Sequence, residues 1–240
     1  MKFYYSKKLT LFPSIAHAFT TKGSGNLAFH VGDNELHVEK NHELLAKELG
    51  YEKNSLIHMK QIHSDIVHTV TDESFQTPPT CDALITNRPN TPLMVMVADC
   101  SPLLFYDDKK KVIAAVHAGR QGAFKNIVKN VIGSFRDDFG SDVKNINVSV
   151  GASIGVCCYE VGSEIYDEAK KSGLEYAVLK RDEKYYLDVN KILNTQLLAC
   201  GIKKENIEFL GECSCCGSDR YFSYRAEPKT GRFAGVVWLK

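Results

Sequence analysis

The sequence has no apolar run of about 18 residues, the length that a membrane-spanning helix requires. Residues 1–10 also lack the apolar core and small-residue cleavage site of a secretory signal. These two absences predict a cytoplasmic protein. In that compartment ordinary cysteines stay reduced, so the eight cysteines are interpreted as thiols, metal ligands or nucleophiles rather than as a disulfide framework.

An excess of one charge is lacking as well. Lys plus Arg number 30 and Asp plus Glu number 29, which gives a formal net charge of +1, and no long block of like charge occurs. This balance predicts neither a nucleic-acid partner nor a membrane partner. The sequence leaves the oligomeric state open.

Internal repeats, low-complexity tracts and linker-like segments are also missing. The chain has 240 residues, of which 44% are hydrophobic and 25% are charged, so it is long enough to bury a sizeable core. The composition is that of an ordinary globular protein. We therefore predict one domain over residues 1–240, or two intimately packed halves.

The most informative stretch is residues 93–122. Apolar runs at 93–99 and 112–117 are rich in β-forming residues and too short for typical helices, which predicts two buried strands. Cys100 closes the first run and His117 closes the second. If the two strands neighbour each other in one sheet, both side chains emerge at the same end, where functional sites form.

A third reactive residue, His63, lies upstream. The nearby Ile62, Ile66 and Val67 predict a partly buried strand, with Gln61 on the same face as His63. Together with Cys100 and His117, this histidine offers two imidazoles and one thiolate, a catalytic zinc set with one open position. The ligands come from three segments and match no local zinc pattern, so ordinary structural roles for each residue are the competing interpretation.

Other cysteine chemistry stays open at this level. Cys100 with His117 as its base could form the nucleophile dyad of a thiol hydrolase or amidase, with Asp99 or Asp65 orienting the imidazole. The C-x-x-C pair Cys213 and Cys216, completed by the adjacent cysteines at 157–158, could form a four-cysteine structural zinc site. The simpler interpretation of these last four is that they are cysteines in tight turns.

The glycine turn at residues 23–25 has two interpretations. Its backbone amides, with Lys22 beside them, could receive an anion, and a plain turn is the simpler alternative.

The remaining pattern of apolar and polar residues predicts further strands and helices. These are a strand before this turn from residue 15, a helix from Asp33 or Asn34 to Gly50, a short strand at 81–86, a helix after Gly119, a strand at 146–150, helices at roughly 163–172 and 188–200, and a final buried strand at 233–239.

A series of motifs occurs in order over nearly the whole chain. They are Gly25-Asn26-Leu27 with His30-Val31-Gly32-Asp33, Gln61-Ile62-His63, Cys81-Asp82-Ala83-Leu84-Ile85-Thr86, Ala98-Asp99-Cys100-x-Pro102, Ala115-Val116-His117-Ala118-Gly119, Ile154-Gly155-x-Cys157-Cys158-Tyr159-Glu160-Val161-Gly162, Phe222-Ser223-Tyr224-Arg225 and Thr230-Gly231-Arg232. The series resembles the bacterial laccase-domain family, whose older name is polyphenol oxidase and whose members have more recently been described as purine nucleoside phosphorylases.

The resemblance implies an α+β fold, a single compact domain of mixed β-sheets with flanking helices. It implies a catalytic Zn²⁺, with copper as a possible substitute, held by His63, Cys100 and His117. It further implies small-molecule substrates, a purine nucleoside and phosphate, in the phosphorolysis of adenosine, inosine and S-methyl-5′-thioadenosine, with adenosine deamination as a second activity. Asp82 and Asp99 then become candidates for proton transfer or for orienting the ligands, and the candidates for substrate contacts are Lys22, Asn26, Gln61, Arg120, Cys157, Tyr159 and Arg225.

Two points qualify what the resemblance implies. The copper-oxidase label fits poorly, because multicopper oxidases carry H-x-H pairs and none of the eight histidines here forms one. Family members also usually read His-Ala-Gly-Trp-Arg-Gly where this chain has Arg120 and Gln121 after Gly119, and an arginine is common at the position of Lys22. A non-catalytic factor in peptidoglycan editing is a third functional alternative.

Overall fold

The computed structural model describes residues 2–240. Met1, which belongs to the predicted domain 1–240, lies outside the described residues. The strands are β1 (Ile15–Phe19), β2 (Ile57–His58), β3 (Val67–Thr69), β4 (Ala83–Thr86), β5 (Leu93–Val97), β6 (Ser101–Asp107), β7 (Val112–Ala118), β8 (Ile146–Val150), β9 (Glu160–Val161), β10 (Val178–Arg181), β11 (Lys184–Leu187), β12 (Ile207–Phe209) and β13 (Phe233–Leu239). The helices are α1 (Glu35–Leu49), α2 (Arg120–Phe124), α3 (Ile127–Asp137), α4 (Ser163–Lys171) and α5 (Val189–Ala199).

The strands form three sheets. The largest has the order β12-β8-β6-β7-β4-β3, parallel at its two outer pairs and antiparallel between them. A four-stranded sheet has the order β1-β13-β5-β2, and a small antiparallel sheet has the order β10-β11-β9. The fold class is therefore α+β with mixed sheets, as predicted.

The two larger sheets pack face to face, and each has helices on its outer face. Along β6, Leu104 and Tyr106 belong to the core between the sheets, whereas Leu103 and Phe105 pack with α3 and α5. Because successive side chains of a strand point to opposite faces, a strand covered on both sides needs apolar residues throughout. This explains why the strands of the central stretch are continuous apolar runs.

The outer face of the four-stranded sheet is covered by α1. Met94 and Met96 of β5 share a core with Leu45 of α1 and with Trp238 of β13. The indole of Trp238 makes an edge contact with the ring of Tyr51, at 5.5 Å between centroids. The order of layers is thus α1, four-stranded sheet, six-stranded sheet, and the helices α3 and α5.

Most predicted elements are confirmed within one or two residues. Helix α1 is capped by the Asn34 side chain, which accepts the N–H of Leu36, and it ends at Gly50 in the left-handed conformation. The predicted helix after Gly119 is interrupted at Asn126, whose left-handed backbone separates α2 from α3. The predicted helices at 163–172 and 188–200 are α4 and α5.

Two predictions about strands are wrong. His63 lies in a loop between β2 and β3, not in a strand, and its φ of 58° is left-handed. The strand before Cys100, β5, belongs to the four-stranded sheet, so it does not pair with β7. The partner of β7 is β6, which begins directly after Cys100. Within residues 2–240, no helix combines the length and the apolar character needed to cross a membrane.

The buried His17 of β1 predicts acid sensitivity of the fold. Its Nε2 accepts the backbone N–H of Ser6 at 2.8 Å, and burial lowers the pKa of His17 from 6.5 to about 4, more than the Glu208 carboxylate raises it. Between these values the unfolded chain binds a proton that the folded chain excludes. The free energy of unfolding should therefore decrease as the pH falls from 6.5 to 4, with a contribution from His17 of about 3 kcal/mol.

Urea unfolding at pH 7.5 and 4.5 checks this expectation. His17→Gln should make the loss of stability between the two pH values smaller than in the unsubstituted chain. The matched control is His37→Gln on the exposed face of α1, which should leave the pH dependence unchanged. Equal pH dependence in all three proteins would contradict the prediction.

Candidate active site

The structure brings the three predicted metal ligands together. The ligand atoms of His63, Cys100 and His117 all lie within 4.8 Å of one another, and the His63 Nε2 is 3.8 Å from the Cys100 Sγ. Zinc bonds of about 2.3 Å to sulfur and 2.0–2.1 Å to nitrogen place tetrahedral neighbours about 3.5 Å apart. The three atoms therefore fit ligands of a single ion.

Strand pairing places Cys100 beside His117. In the antiparallel pair of β6 and β7, Pro102 is opposite His117, so the start of β6 meets the end of β7. Cys100 lies directly before β6, at the same edge of the sheet. The predicted proximity of the two residues is therefore correct, although it arises from the pairing of β6 with β7 rather than from β5.

His63 is positioned by the carboxylate of Asp82, which is fully buried directly before β4. This carboxylate accepts the backbone N–H groups of Ile62 at 3.3 Å, His63 at 3.0 Å and Ser64 at 2.6 Å. It also accepts the Ser64 hydroxyl at 2.6 Å. The Asp82 carboxylate thus accepts the backbone N–H groups that a neighbouring strand would bind if this loop were a strand.

The same carboxylate orients His117. The Asp82 Oδ1 lies 2.7 Å from the His117 Nδ1, which leaves the His117 Nε2 available as a ligand. A carboxylate behind a metal-binding histidine fixes its tautomer and ring orientation. Burial raises the pKa of Asp82, but the hydrogen bonds from His117 and Ser64 outweigh it and lower that pKa to about 2. Asp82 is therefore a carboxylate at neutral pH.

Cys100 and His117 form a charged pair. Burial raises the pKa of Cys100, but the charge of His117 and hydrogen bonds from both histidines lower it to about 6. Burial lowers the pKa of His117, but the charge of Cys100 and the hydrogen bond to Asp82 raise it to about 9. The thiolate is the form that acts either as a metal ligand or as a nucleophile.

Gly119 lies against this group of side chains. A Cβ at this position would be 2.8 Å from the Cys100 Sγ and 3.1 Å from the His63 Cδ2. The φ of Gly119 is −82°, a value that alanine also adopts. A side chain here would therefore disturb the two ligands directly without straining the backbone.

We expect Gly119→Ala to lower the affinity for zinc at least about tenfold, because the Cys100 thiol and the His63 ring must move. The free energy of unfolding should change little. Gly133→Ala in α3 is the matched control, since the nearest atom to its added Cβ is 3.9 Å away. Competition with a chromophoric chelator measures the affinity, and unchanged zinc binding in Gly119→Ala would contradict the expectation.

A cavity of about 710 Å³ opens onto the three ligands. The residues that line it include Arg120, Arg225 and Arg232. Arg225 donates to the carbonyls of Cys158 at 3.0 Å and Glu160 at 2.9 Å. These two hydrogen bonds fix the position of the side chain. Because the carbonyls carry no net charge, they do not neutralise the guanidinium, and its positive charge stays available to an anion.

Arg232 also lines the cavity, although it is not among the site residues predicted from the sequence. Its guanidinium donates to the carbonyls of Thr230 and Gly231, both at 3.0 Å, and burial lowers its pKa. Across residues 2–240, neither Arg225 nor Arg232 forms an ion pair with a carboxylate. The sequence signal that could have identified Arg232 as a site residue is the Thr230-Gly231-Arg232 motif.

Four of the predicted substrate contacts line the cavity: Gln61, Arg120, Tyr159 and Arg225. The Gln61 amide is paired with the backbone N–H and C=O of Met96, so it has a structural role as well. Arg120 pairs with Glu168. The ring of Tyr159 lies under the Arg225 guanidinium, at 5.3 Å from its centroid.

Three predicted contacts lie outside the cavity wall. The Lys22 ammonium donates to the Ser218 carbonyl at 3.0 Å, and Cys157 belongs to a separate group of cysteines. The buried Asn26 accepts the backbone N–H of Arg232 at 2.9 Å, which ties the Arg232 segment to the loop after β1. In the glycine turn, the N–H of Gly25 bonds the Lys22 carbonyl, as in a plain turn.

Asp99 lines the cavity and joins three loops. Its φ is 87°, and its carboxylate accepts the Ser214 hydroxyl and the Arg225 N–H, both at 2.7 Å. Its backbone carbonyl accepts the N–H of Ile154 at 2.8 Å. With both carboxylate oxygens engaged, Asp99 holds the wall of the cavity in place.

Known proteins resemble this chain over most of its length. A purine nucleoside phosphorylase of Corynebacterium glutamicum is 37% identical over 239 residues, covering 94% of each chain. Purine nucleoside phosphorylase YfiH of Escherichia coli K12 is 32% identical over 219 residues, 89% of this chain and 86% of its own. The crystal structure of the hypothetical protein YfiH from Bacillus licheniformis superposes with a TM-score of 0.88 at 29% identity, covering 94% of this chain and 93% of its own.

The family itself is identified by a match that spans most of the chain. Residues 17–240 match the family described as multi-copper polyphenol oxidoreductase laccase. This match and the relatives above confirm the resemblance found in the sequence motifs. The chain therefore belongs to the multi-copper polyphenol oxidoreductase laccase family.

Proposed function

We propose that this protein is a zinc-dependent purine nucleoside phosphorylase that acts on adenosine, inosine and S-methyl-5′-thioadenosine, with adenosine deamination as a second activity. The observation that carries the proposal is the convergence of His63, Cys100 and His117 at a cavity walled by arginines. The names of the relatives from C. glutamicum and E. coli support the reaction class.

The donor set fits zinc. Two imidazoles and one thiolate are ligands that zinc prefers, and three protein ligands leave a position open, as in catalytic zinc sites. Copper remains a possible substitute, because imidazole and thiolate also suit copper. When bound, the ion supplies Lewis-acid activation. Asp82 keeps the His117 ring in one orientation.

The arginines of the wall suit phosphate. Arg225 and Arg232 are held by backbone carbonyls, so their positions are fixed before an anion arrives. Guanidinium groups bind phosphate oxygens in pairs of hydrogen bonds. We assign phosphate to these two residues, and Arg120, which is already paired with Glu168, to the edge of the site.

The mouth of the cavity offers a surface for the purine. Tyr224 lines the cavity and is 58% exposed, so its ring is free to stack on a base. In phosphorolysis a phosphate oxygen bonds to the anomeric carbon of the sugar while the bond to the purine nitrogen breaks. Positive charge at Arg225 and Arg232 would hold the attacking phosphate beside that carbon.

The test is to incubate the purified, zinc-loaded protein with adenosine, with and without inorganic phosphate, and to identify the products. Adenine and ribose 1-phosphate, formed only with phosphate, support phosphorolysis. Inosine formed in either condition supports deamination. Neither product from protein that contains zinc would overturn the proposal. Metal analysis of protein purified without added metal establishes whether the ion is zinc or copper.

A second candidate is a thiol hydrolase that uses Cys100 as its nucleophile. It is favoured by the lowered pKa of Cys100 beside His117, with Asp82 as the third member of the group. This candidate predicts that iodoacetamide modifies Cys100 in zinc-loaded protein and that a chelator leaves activity intact. Protection of Cys100 by zinc, with loss of activity on chelation, would exclude it.

A further inference from the structure

A second group of sulfur atoms lies outside the cavity wall. The group, called the thiol cluster below, comprises Cys157, Cys158, Cys213 and Cys216, and its four sulfur atoms all lie within 4.8 Å of one another. The Cys216 Sγ is 3.5 Å from the Cys157 Sγ and 3.3 Å from the Cys158 Sγ. None of the four residues lines the cavity.

These separations match a metal site better than a disulfide. A disulfide joins its sulfur atoms at about 2.05 Å, so no pair here is bonded. Zinc–sulfur bonds of about 2.3 Å place the corners of a tetrahedron about 3.8 Å apart. Four sulfur atoms separated by 3.3 to 4.8 Å therefore surround a point that one ion can occupy with small side-chain adjustments.

The backbone already directs hydrogen bonds at one of these sulfur atoms. The N–H groups of Gly155 and Cys216 point at the Cys213 Sγ, at 3.2 and 3.5 Å. Such bonds stabilise a thiolate and fix its direction, as partners of metal ligands do. A Cβ on Gly155 would lie 3.1 Å from the Cys157 Sγ, so glycine is the residue that leaves room there.

The two cysteine loops are also tied together by their backbones. The N–H of Ser153 donates to the Glu212 carbonyl at 3.2 Å, and the N–H of Ser214 donates to the Ser153 carbonyl at 3.0 Å. The C-x-x-C turn is closed by a bond from Gly217 N–H to the Cys213 carbonyl at 2.9 Å. The cluster is therefore assembled by the fold rather than by chance proximity of mobile side chains.

We propose that the thiol cluster binds one zinc ion as a closed, structural site with four cysteine ligands. Four thiolates leave no open position, which distinguishes this site from that of His63, Cys100 and His117. Its role is to fix the cavity wall, because Tyr159 follows Cys158 directly and Arg225 donates to the Cys158 carbonyl. The proposal does not depend on the reaction that the enzyme catalyses.

Counting metal per chain tests the proposal. Protein purified in reductant and loaded with zinc should contain about two ions per chain after desalting. Cys213→Ser with Cys216→Ser should contain about one, and Cys100→Ala should also contain about one. The matched control Cys200→Ser, a cysteine at the end of α5, should keep two. One ion in the unsubstituted chain and none in Cys100→Ala would overturn the proposal.

Cobalt distinguishes the two sites even if the double variant fails to fold. Each cobalt–thiolate bond contributes to the charge-transfer absorption, so Cys100→Ala loaded with Co²⁺ should retain about four-fifths of it, because four of the five such bonds lie in the cluster. Absence of this absorption would overturn the proposal. So would a titration, in denaturant without reductant, that finds six reactive thiols among the eight cysteines and no second ion, since it would show a disulfide.

Discussion

Asp82→Asn should lower the affinity for zinc by about 10- to 100-fold, and activity should fall with it at limiting zinc. The carboxylate accepts hydrogen bonds from both sides of the site, from the loop that carries His63 and from the ring of His117. Asparagine has the same shape, but its NH₂ group faces N–H donors where an oxygen is needed. The His117 tautomer and the position of the His63 loop should both be lost.

Asp82→Ala should in addition destabilise the fold, by about 3–5 kcal/mol, because the buried N–H groups of the His63 loop and the Nδ1 of His117 lose their acceptor. Urea unfolding measures this loss. Zinc titration of Asp82→Asn, under conditions where the protein stays folded, separates the positioning role from stability.

The chain provides a matched control for Asp82. Asp107 is equally buried, but it lies at the far end of β6 from Cys100, where its carboxylate accepts the N–H groups of Lys109 and Lys110. Asp107→Asn keeps an oxygen for these two N–H groups and should leave zinc affinity unchanged. If both substitutions affect zinc binding equally, the assignment of Asp82 as the positioning residue is wrong.

Arg232→Gln should lower kcat/KM for phosphate by roughly 100-fold, through a higher KM, because a partly buried guanidinium that pairs with the substrate is worth a few kcal/mol. The expectation rests on the proposed phosphorolysis. The KM for the nucleoside should change much less. This split between the two substrates is what a merely structural role for Arg232 would not produce.

Initial rates at varied phosphate and saturating nucleoside give the measurement. Arg88→Gln is the control, since Arg88 pairs with Asp72 on the surface and does not line the cavity. It should leave both KM values unchanged. A parallel rise of both KM values in Arg232→Gln, or no rise in either, would contradict the assignment of Arg232 to phosphate.

The strands and helices that could be predicted are those with a strong local pattern. The runs at 93–98 and 112–116 are apolar throughout because both of their faces are covered, and α1 and α5 carry clear stop signals at Gly50 and Gly201. Strands β10 and β11 escaped prediction. Most of their residues are charged or partly exposed, so neither strand shows the apolar run or the regular alternation of a buried strand.

Site residues could be predicted from the sequence only where a reactive side chain ends a predicted strand. Cys100 and His117 qualify, because each closes an apolar run. The strand around His63 was predicted from apolar residues that are in fact exposed: Ile62 is 43% and Ile66 is 47% accessible. The conformation of this loop is set by hydrogen bonds to Asp82, which lies 19 positions from His63 in the sequence. A pattern of neighbouring apolar residues does not indicate a contact over that separation.

Arg232 illustrates a second limit of sequence reasoning. Its place in the cavity depends on Asn26, more than 200 positions earlier in the chain, which accepts its backbone N–H. The distance along the sequence hides this contact from any pattern of neighbouring residues. The family motif Thr230-Gly231-Arg232 marked the position, but the motif alone does not indicate that Arg232 reaches the cavity.

The fluorescence of the single tryptophan, Trp238, is sensitive to the packing of α1 on the four-stranded sheet. Trp238 is nearly buried beneath α1, next to Tyr51, and neither ring lines the cavity. Its fluorescence should therefore be indifferent to nucleoside and phosphate, yet shift to longer wavelength as soon as α1 detaches from the sheet. Ligand titrations thus need a different signal, while emission spectra report on the contact between α1 and the four-stranded sheet.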